Sequence, residues 1–277
     1  MKELPFNEQA NFAEAGFTDG LTTDPMHKFS CSVKPSEDFA YFKMTQRSEA
    51  MWQVPDGEVV RFTATFELDR VPVADTGFLV LEAKTIKPFG VHMVLGLPFE
   101  LAIRDGKFVA RTNEYSMGHG KTVETPVFTI GEEEALAAVK GKFRVIVELT
   151  PNDQFIRITL RVTNLESRYS VMKTWPALNR RSYKGMFFAF AVGLWFDNVE
   201  PGMLELSEDS QKAVELSVTD MSCYQGTSAE FDAEDEARNQ AAYVADCAAE
   251  RANDAQNAAQ SVPAASKKAQ RNSKKHD

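Results

Sequence analysis

Apolar and polar residues alternate along much of this chain, and that period of two limits the fold more than any other feature. In EVVRFTATFEL (58–68) every second residue from Val60 to Leu68 is apolar, and the residues between them are mostly polar. Successive side chains of a strand point to opposite sides, so the pattern predicts a strand with one buried face. Further strands are predicted at GFLVLEAKTI (77–86), GMFFAFAVGLWF (185–196) and KAVELSVTDMSCY (212–224).

A two-residue turn is the clearest local signal. PFELAIRDGKFVART (98–112) has Asp105-Gly106 at its centre, and such a pair supplies the positive φ angles of a tight hairpin turn. Pairing around this turn places Ile103 opposite Phe108 and Glu100 opposite Arg111. The segment therefore predicts two antiparallel strands.

A second hairpin is predicted farther along the chain. KFRVIVELT (142–150) and FIRITLRVT (155–163) alternate in the same way, and Pro151-Asn152-Asp153 is expected to form the turn. Between the hairpins, GEEEALAAVKG (131–141) predicts one short helix. The fold class that follows is mainly β, an antiparallel two-sheet jelly-roll sandwich over 41–226.

The two ends of the chain differ from this pattern. Residues 1–40 mix phenylalanines with Gly, Asp, Thr and Pro, which predicts an extended N-terminal arm or a first strand. Residues 227–260 contain 12 Ala among 34 and neither Gly nor Pro, which predicts an alanine-rich C-terminal helix. Residues 261–277 carry five bases and one acid and are expected to be a disordered basic terminus.

The alanine-rich helix is expected to need a partner. Its stripe of small residues buries little surface, about one methyl group per alanine and roughly 0.8 kcal/mol for each. A protein partner or self-association through 227–260 is therefore expected, and the alternative is a solvated helix that frays.

Composition narrows the range of partners. The 277-residue chain has a net charge of −9, which argues against general nucleic-acid binding. No apolar run approaches the length of a membrane span, and MKELPFNEQANF lacks the apolar core of a signal peptide. Synthesis in the cytoplasm is expected, with incorporation into a virion or another assembly as one destination.

Cysteine usage indicates no metal site and no disulfide framework. Cys31, Cys223 and Cys247 are far apart and lack metal-ligand spacing. They are expected to be reduced, and neither a metal nor a cofactor is predicted.

Basic residues at outward strand positions are the candidate ligand-binding face. If their strands share one sheet, they form a basic strip that suits an acidic glycan or an acidic protein partner, because arginine binds carboxylate and sulfate with two hydrogen bonds. The alternative is that they pair with Glu67, Glu82, Glu100 and Glu148 across the strands. The basic residues are Lys84, Arg104, Arg111, Arg157 and Arg161.

The order of several segments resembles the concanavalin A-like jelly-roll polysaccharide lyases, including the heparin-lyase-like and alginate-lyase-like families. These segments are QRSEAMW (46–52), the 98–113 hairpin, KFRVIVEL, VGLWFDN (192–198) and VELSVTDMSCY. Arg47-Ser48-Glu49 resembles the Arg-x-Glu segment of that family. The resemblance implies a jelly-roll fold and adds Arg47 and Glu49 to the candidate ligand face.

The positions that carry the family's chemistry differ in this chain. The family has a Gln-x-His pair on a middle strand and a Tyr-x-Lys-x-Gly-x-Tyr run on a late strand. Here the middle strand reads Glu82-Ala83-Lys84, and the late strand, aligned on Gly193, has Ala189, Ala191 and Trp195. An alanine cannot transfer a proton. The resemblance therefore implies lost catalytic positions, and no catalytic residue is assigned.

These observations favour a non-catalytic jelly-roll module with a structural or carbohydrate-binding role. Its tail helix is expected to anchor the module to a larger assembly. A virion-associated or decoration-type protein is of this kind. The alternatives are a polysaccharide lyase acting on an acidic glycan and a glycan-binding module with no assembly role.

Overall fold

The computed structural model describes residues 1–4, 22–24, 28–33, 40–43, 53–70, 75–86, 92–104, 107–115, 122–124, 128–129, 141–179, 187–197 and 213–260. It divides into two compact units, Met1–Thr227 and Ser228–Asp277. The predicted turn at 105–106, residues 131–140 of the predicted helix and the basic terminus lie outside the described residues, as does most of the N-terminal arm.

The first unit is built from antiparallel strands. In chain order the described strands are β1 (Lys2–Glu3), β2 (Thr22–Asp24), β3 (Lys28–Val33), β4 (Ala40–Lys43), β5 (Val59–Leu68), β6 (Asp75–Ile86), β7 (His92–Arg104), β8 (Lys107–Tyr115), β9 (Thr122–Glu124), β10 (Phe128–Thr129), β11 (Lys142–Pro151), β12 (Phe155–Asn164), β13 (Ser170–Asn179), β14 (Phe187–Asp197) and β15 (Val214–Gly226).

These strands form two sheets. Sheet A has eight strands in the order β13-β12-β11-β5-β15-β3-β2, with β1 paired to β15. Sheet B has seven strands in the order β10-β8-β7-β6-β14-β4, with β9 paired to β8. Together they confirm the predicted antiparallel two-sheet jelly-roll sandwich. Because β1 and β3 both pair with β15, these parts of the first 40 residues are strands of sheet A.

The alternating residues form the core between the sheets. The apolar face of β5 is buried from Val60 to Leu68, as the sequence predicts. Phenylalanines of both sheets meet there. Phe66 of sheet A lies with its ring centroid 5.1 Å from that of Phe78 in sheet B, and Phe143 of sheet A lies 5.0 Å from Phe108 of sheet B. Edge-to-face contacts of this kind add to the energy of apolar burial.

The predicted register of the first hairpin is confirmed, and the predicted turn of the second hairpin needs one correction. Ile103 lies opposite Phe108, and Glu100 lies opposite Arg111. In the second hairpin, however, Pro151 still pairs with Ile156, so the turn begins one residue later than predicted. The side chain of Asn152 closes this turn, because its Oδ1 accepts hydrogen bonds from the next residues' N–H groups, at 2.9 Å from Gln154 and 2.7 Å from Phe155. An Asn side chain commonly stabilises a turn in this way.

The second unit contains one long helix, α1 (Ser228–Gln260), of 33 residues. This helix confirms the predicted C-terminal helical segment. Within it, the Arg238 guanidinium lies 2.6 Å from Glu234 and 3.1 Å from Asp235, at the spacings where helical neighbours meet. Across the described residues, no helix combines the length and the apolar character that crossing a membrane requires.

Candidate ligand-binding faces

The predicted basic residues divide between the two sheets. Lys84, Arg104 and Arg111 lie on β6, β7 and β8 of sheet B, whereas Arg157 and Arg161 lie on β12 of sheet A. The five basic residues therefore do not lie on one sheet and cannot form a single basic strip. Alternation along a strand shows which residues point away from the core, but it does not show which sheet the strand joins. Arg47 and Glu49 lie outside the described residues, and the binding role of all seven residues stays a prediction.

A row of register partners crosses the outer face of sheet B. Lys43 pairs with Ala191, Ala191 with Val80, Val80 with Glu100, and Glu100 with Arg111. Directly opposed residues share a face of the sheet. Glu100 is only 2% exposed, so this outer face holds a buried carboxyl group with an arginine position beside it.

The outer face of β14 carries the positions that matter for the lyase resemblance. Phe188, Phe190 and Val192 are buried in the core between the sheets. The alternating positions Ala189 and Ala191 therefore lie on the outer face, and Ala189 lies opposite Glu82 of β6. A methyl group neither gives nor accepts a proton.

The outer face of β12 and β13 in sheet A is a polar surface with ordered hydroxyl groups. Thr159 and Thr174 are register partners whose hydroxyl oxygens lie 3.0 Å apart. Thr163 and Ser170 form the second pair, with their hydroxyl oxygens 2.9 Å apart. These cross-strand hydrogen bonds fix the positions of four hydroxyl groups along the edge of the sheet.

Three arginines surround the hydroxyl groups. Arg157 and Arg161 lie on the same side of β12 as Thr159, and Arg144 of β11 lies directly opposite Thr163. Nη2 of Arg161 lies 3.9 Å from Sδ of Met172, which is 57% exposed. We call the surface made by Arg144, Arg157, Thr159, Arg161, Thr163 and Met172 the arginine face.

Two ion pairs on sheet A involve Arg61 and Lys142, which are outside the candidate set. Nη2 of Arg61, a buried residue, lies 2.5 Å from Oε1 of Glu148, and Nζ of Lys142 lies 3.2 Å from Oε2 of Glu67. Two of the glutamates expected to neutralise the outward arginines thus bind other partners. Over the described part of the chain, neither Arg144 nor Arg157 forms an ion pair.

The two cysteines whose side chains the structure describes lie in β15 and in α1. Cys223 and Cys247 are free thiols, as expected, and burial raises the pKa of the Cys223 thiol well above its usual value. Where the structure describes the chain, no group of three or more His, Cys, Asp or Glu could hold a metal ion.

Sequence reasoning did not select Arg144 or the hydroxyl pairs. The alternation of KFRVIVELT does place Arg144 on the outer side, so that residue could have been found. The hydroxyl pairs depend on β13, which was not predicted as a strand, and on its register with β12.

Comparisons with known proteins give similarity only to solved structures. No protein-family model matches the chain, and no curated protein matches it. An alginate lyase of polysaccharide lyase family 7, A1-II', is 12% identical, with a TM-score of 0.48 over 81% of this chain and 93% of the lyase. The endo-β-1,4-glucuronan lyase from the fungus Trichoderma reesei is 11% identical, with a TM-score of 0.44 over 77% and 94% of the two chains.

A phage module is also similar. The CBM2 module of the evolved Dit of Lactobacillus casei BL23 phage J-1 is 11% identical, with a TM-score of 0.39 over 76% of this chain and 78% of that chain. The structural neighbours of this jelly-roll protein therefore include family 7 alginate lyases, at low sequence identity.

Proposed function

We propose that the protein is a non-catalytic jelly-roll module with a structural or glycan-binding role and that helix α1 anchors it in a larger assembly, of the virion-associated or decoration type. The observation that carries this proposal is the apolar surface of α1. Tyr243 and Val244, near the middle of the helix, are 64% and 57% exposed. Large apolar side chains that are exposed side by side mark a surface for another protein more often than isolated ones do.

The composition of α1 suits close packing with a second helix. The alanines at 237, 241 and 248 are seven, three and four residues away from Val244. These spacings place all three on the same side of the helix as Val244. Small side chains allow another helix to approach, and Val244 on the same side then supplies apolar area that alanines lack, with Tyr243 one position further round the helix. Such an arrangement stabilises the helix only when a partner covers it.

The chemistry of β14 supports the non-catalytic part of the proposal. Eliminating a glycosidic bond beside a uronic acid requires a base, an acid and a group that neutralises the carboxylate. On the outer face of β14 the chain has Ala189 and Ala191, and neither can serve as acid or base.

The proposal predicts that charging the apolar surface of α1 disrupts association. We expect the full chain to have a mass in solution above the 30.9 kDa of a single chain. The variant Tyr243→Glu/Val244→Glu should have the mass of one chain, because two buried carboxylates oppose any apolar interface. Light scattering coupled to size-exclusion chromatography measures both masses.

The matched control adds the same charge on the opposite side of α1. Ala249→Glu/Gln256→Glu should keep the mass of the unmodified protein, since both exposed positions lie about half a turn round the helix from the midpoint of the apolar pair. A single-chain mass for the unmodified protein would contradict self-association. That mass together with lyase activity would overturn the proposed function.

A further inference from the structure

We infer that the arginine face on the outer side of β11–β13 binds an acidic glycan, a sugar chain that carries carboxylate or sulfate groups. The inference rests on the proposed function, because it names the ligand class of a binding module. The face belongs to sheet A, whereas the strands aligned with the lyase family's catalytic positions, β6 and β14, belong to sheet B. It is therefore a separate surface of the sandwich.

The spacing of the arginines favours an extended ligand. Arg157 and Arg161 are four residues apart on one strand, and a strand rises about 3.3 Å per residue, so their Cα atoms are separated by about 13 Å. Arg144 lies on the next strand, opposite Thr163. A single small anion is much shorter than the distance from Arg157 to Arg161. A chain with repeated acidic groups could contact several at once.

The groups between the arginines match a sugar ring. Thr159 and Thr163 have hydroxyl groups that both donate and accept hydrogen bonds, as the hydroxyl groups of a sugar do. Met172, beside Arg161, offers an exposed apolar side chain against which the C–H side of a ring can pack. The arginine face thus combines positive charge, hydroxyl groups and apolar surface.

The charge balance of the chain indicates that the arginines serve a ligand. Acidic residues outnumber basic ones by 40 to 31, so carboxylates are plentiful. Even so, Arg144 and Arg157 form no ion pair in the described part of the structure. Three arginines are too few to neutralise the many phosphates that a nucleic-acid duplex presents.

The test measures binding of the full chain to immobilised alginate, which carries only carboxylates, and to heparin, which also carries sulfates. We expect binding to at least one of them and weaker binding at higher salt. The variant Arg144→Gln/Arg157→Gln should bind about a hundredfold more weakly, since each charge-assisted contact contributes roughly tenfold. The glycan that the full chain binds more tightly identifies the preferred acidic group, carboxylate or sulfate.

The control variant Lys2→Gln/Arg251→Gln removes the same charge from two exposed positions that are not among the residues of the arginine face and should bind like the unmodified protein. Equal losses in the two variants would overturn the inference, as would the absence of binding to both glycans. Binding to polyglutamate but to neither glycan would instead identify an acidic protein ligand and also overturn it. Light scattering of Arg144→Gln/Arg157→Gln should give the mass of the unmodified protein, because association through α1 does not use these arginines. This measurement distinguishes a failure of glycan binding from a failure of association.

Discussion

Replacing Phe78 by alanine should lower the free energy of unfolding of the sandwich by about 4 kcal/mol, the usual cost of removing a buried aromatic ring. The Phe78 ring lies 5.1 Å from that of Phe66, 5.8 Å from Phe108 and 5.9 Å from Phe143, between ring centroids. It therefore contacts rings from both sheets, and its loss leaves a cavity where the sheets meet. Urea unfolding followed by tryptophan fluorescence measures this change, because all three tryptophans precede residue 228.

Phe155 provides the matched control for this prediction. It begins β12 and is 36% exposed, so Phe155→Ala makes the same chemical change at a position in contact with water. We expect it to cost less than about 1.5 kcal/mol, because less apolar surface leaves the core. If the two variants lower the free energy of unfolding by the same amount, the Phe78 ring does not pack between the two sheets as the structure shows.

The second large effect is expected from Arg61→Met, which should cost about 3 kcal/mol of stability. The side chains of Arg61 and Glu148 are 6% and 22% exposed, and they lie opposite each other on β5 and β11. Removing one partner of a buried ion pair leaves the other charge without compensation. The partial exposure of Glu148 places the expected value at the low end of the range for such pairs.

The double variant Arg61→Met/Glu148→Met tests the cause of that loss. Once both charges are absent, no uncompensated charge remains, and well-packed apolar side chains often replace a buried pair at little cost. The double variant should therefore regain most of the stability that the single variant loses. A double variant as unstable as Arg61→Met would show that the guanidinium stabilises the sheet in another way. Urea unfolding of the three proteins decides between these outcomes.

Much of the fold could be predicted because alternation reflects burial directly. The stretch from Val60 to Leu68 has one face in the core, and strong alternation makes that face visible in the sequence. The register of the first hairpin could also be predicted, since a two-residue turn at Asp105-Gly106 allows only one pairing. Local chemistry determines both of these features.

The remaining features depend on contacts between distant parts of the chain. Strand β13 contains Lys173 and Pro176, which weaken the strand pattern, yet the end of sheet A accommodates it. Proline is tolerated on such edge strands because one side of the strand makes no ladder hydrogen bonds. The candidate site was predicted less well for the same reason. The outward positions of Arg111 and Arg157 follow from alternation, but their placement in different sheets follows from the chain's path.

We propose that this jelly-roll protein binds glycans without cleaving them, and an elimination assay tests that proposal most directly. Eliminative cleavage of a uronic-acid chain forms an unsaturated sugar that absorbs ultraviolet light. We expect the full chain, incubated with alginate, heparin and glucuronan, to give no increase in absorbance at any protein concentration. A steady increase whose rate is proportional to protein concentration would contradict the account and identify the protein as a lyase.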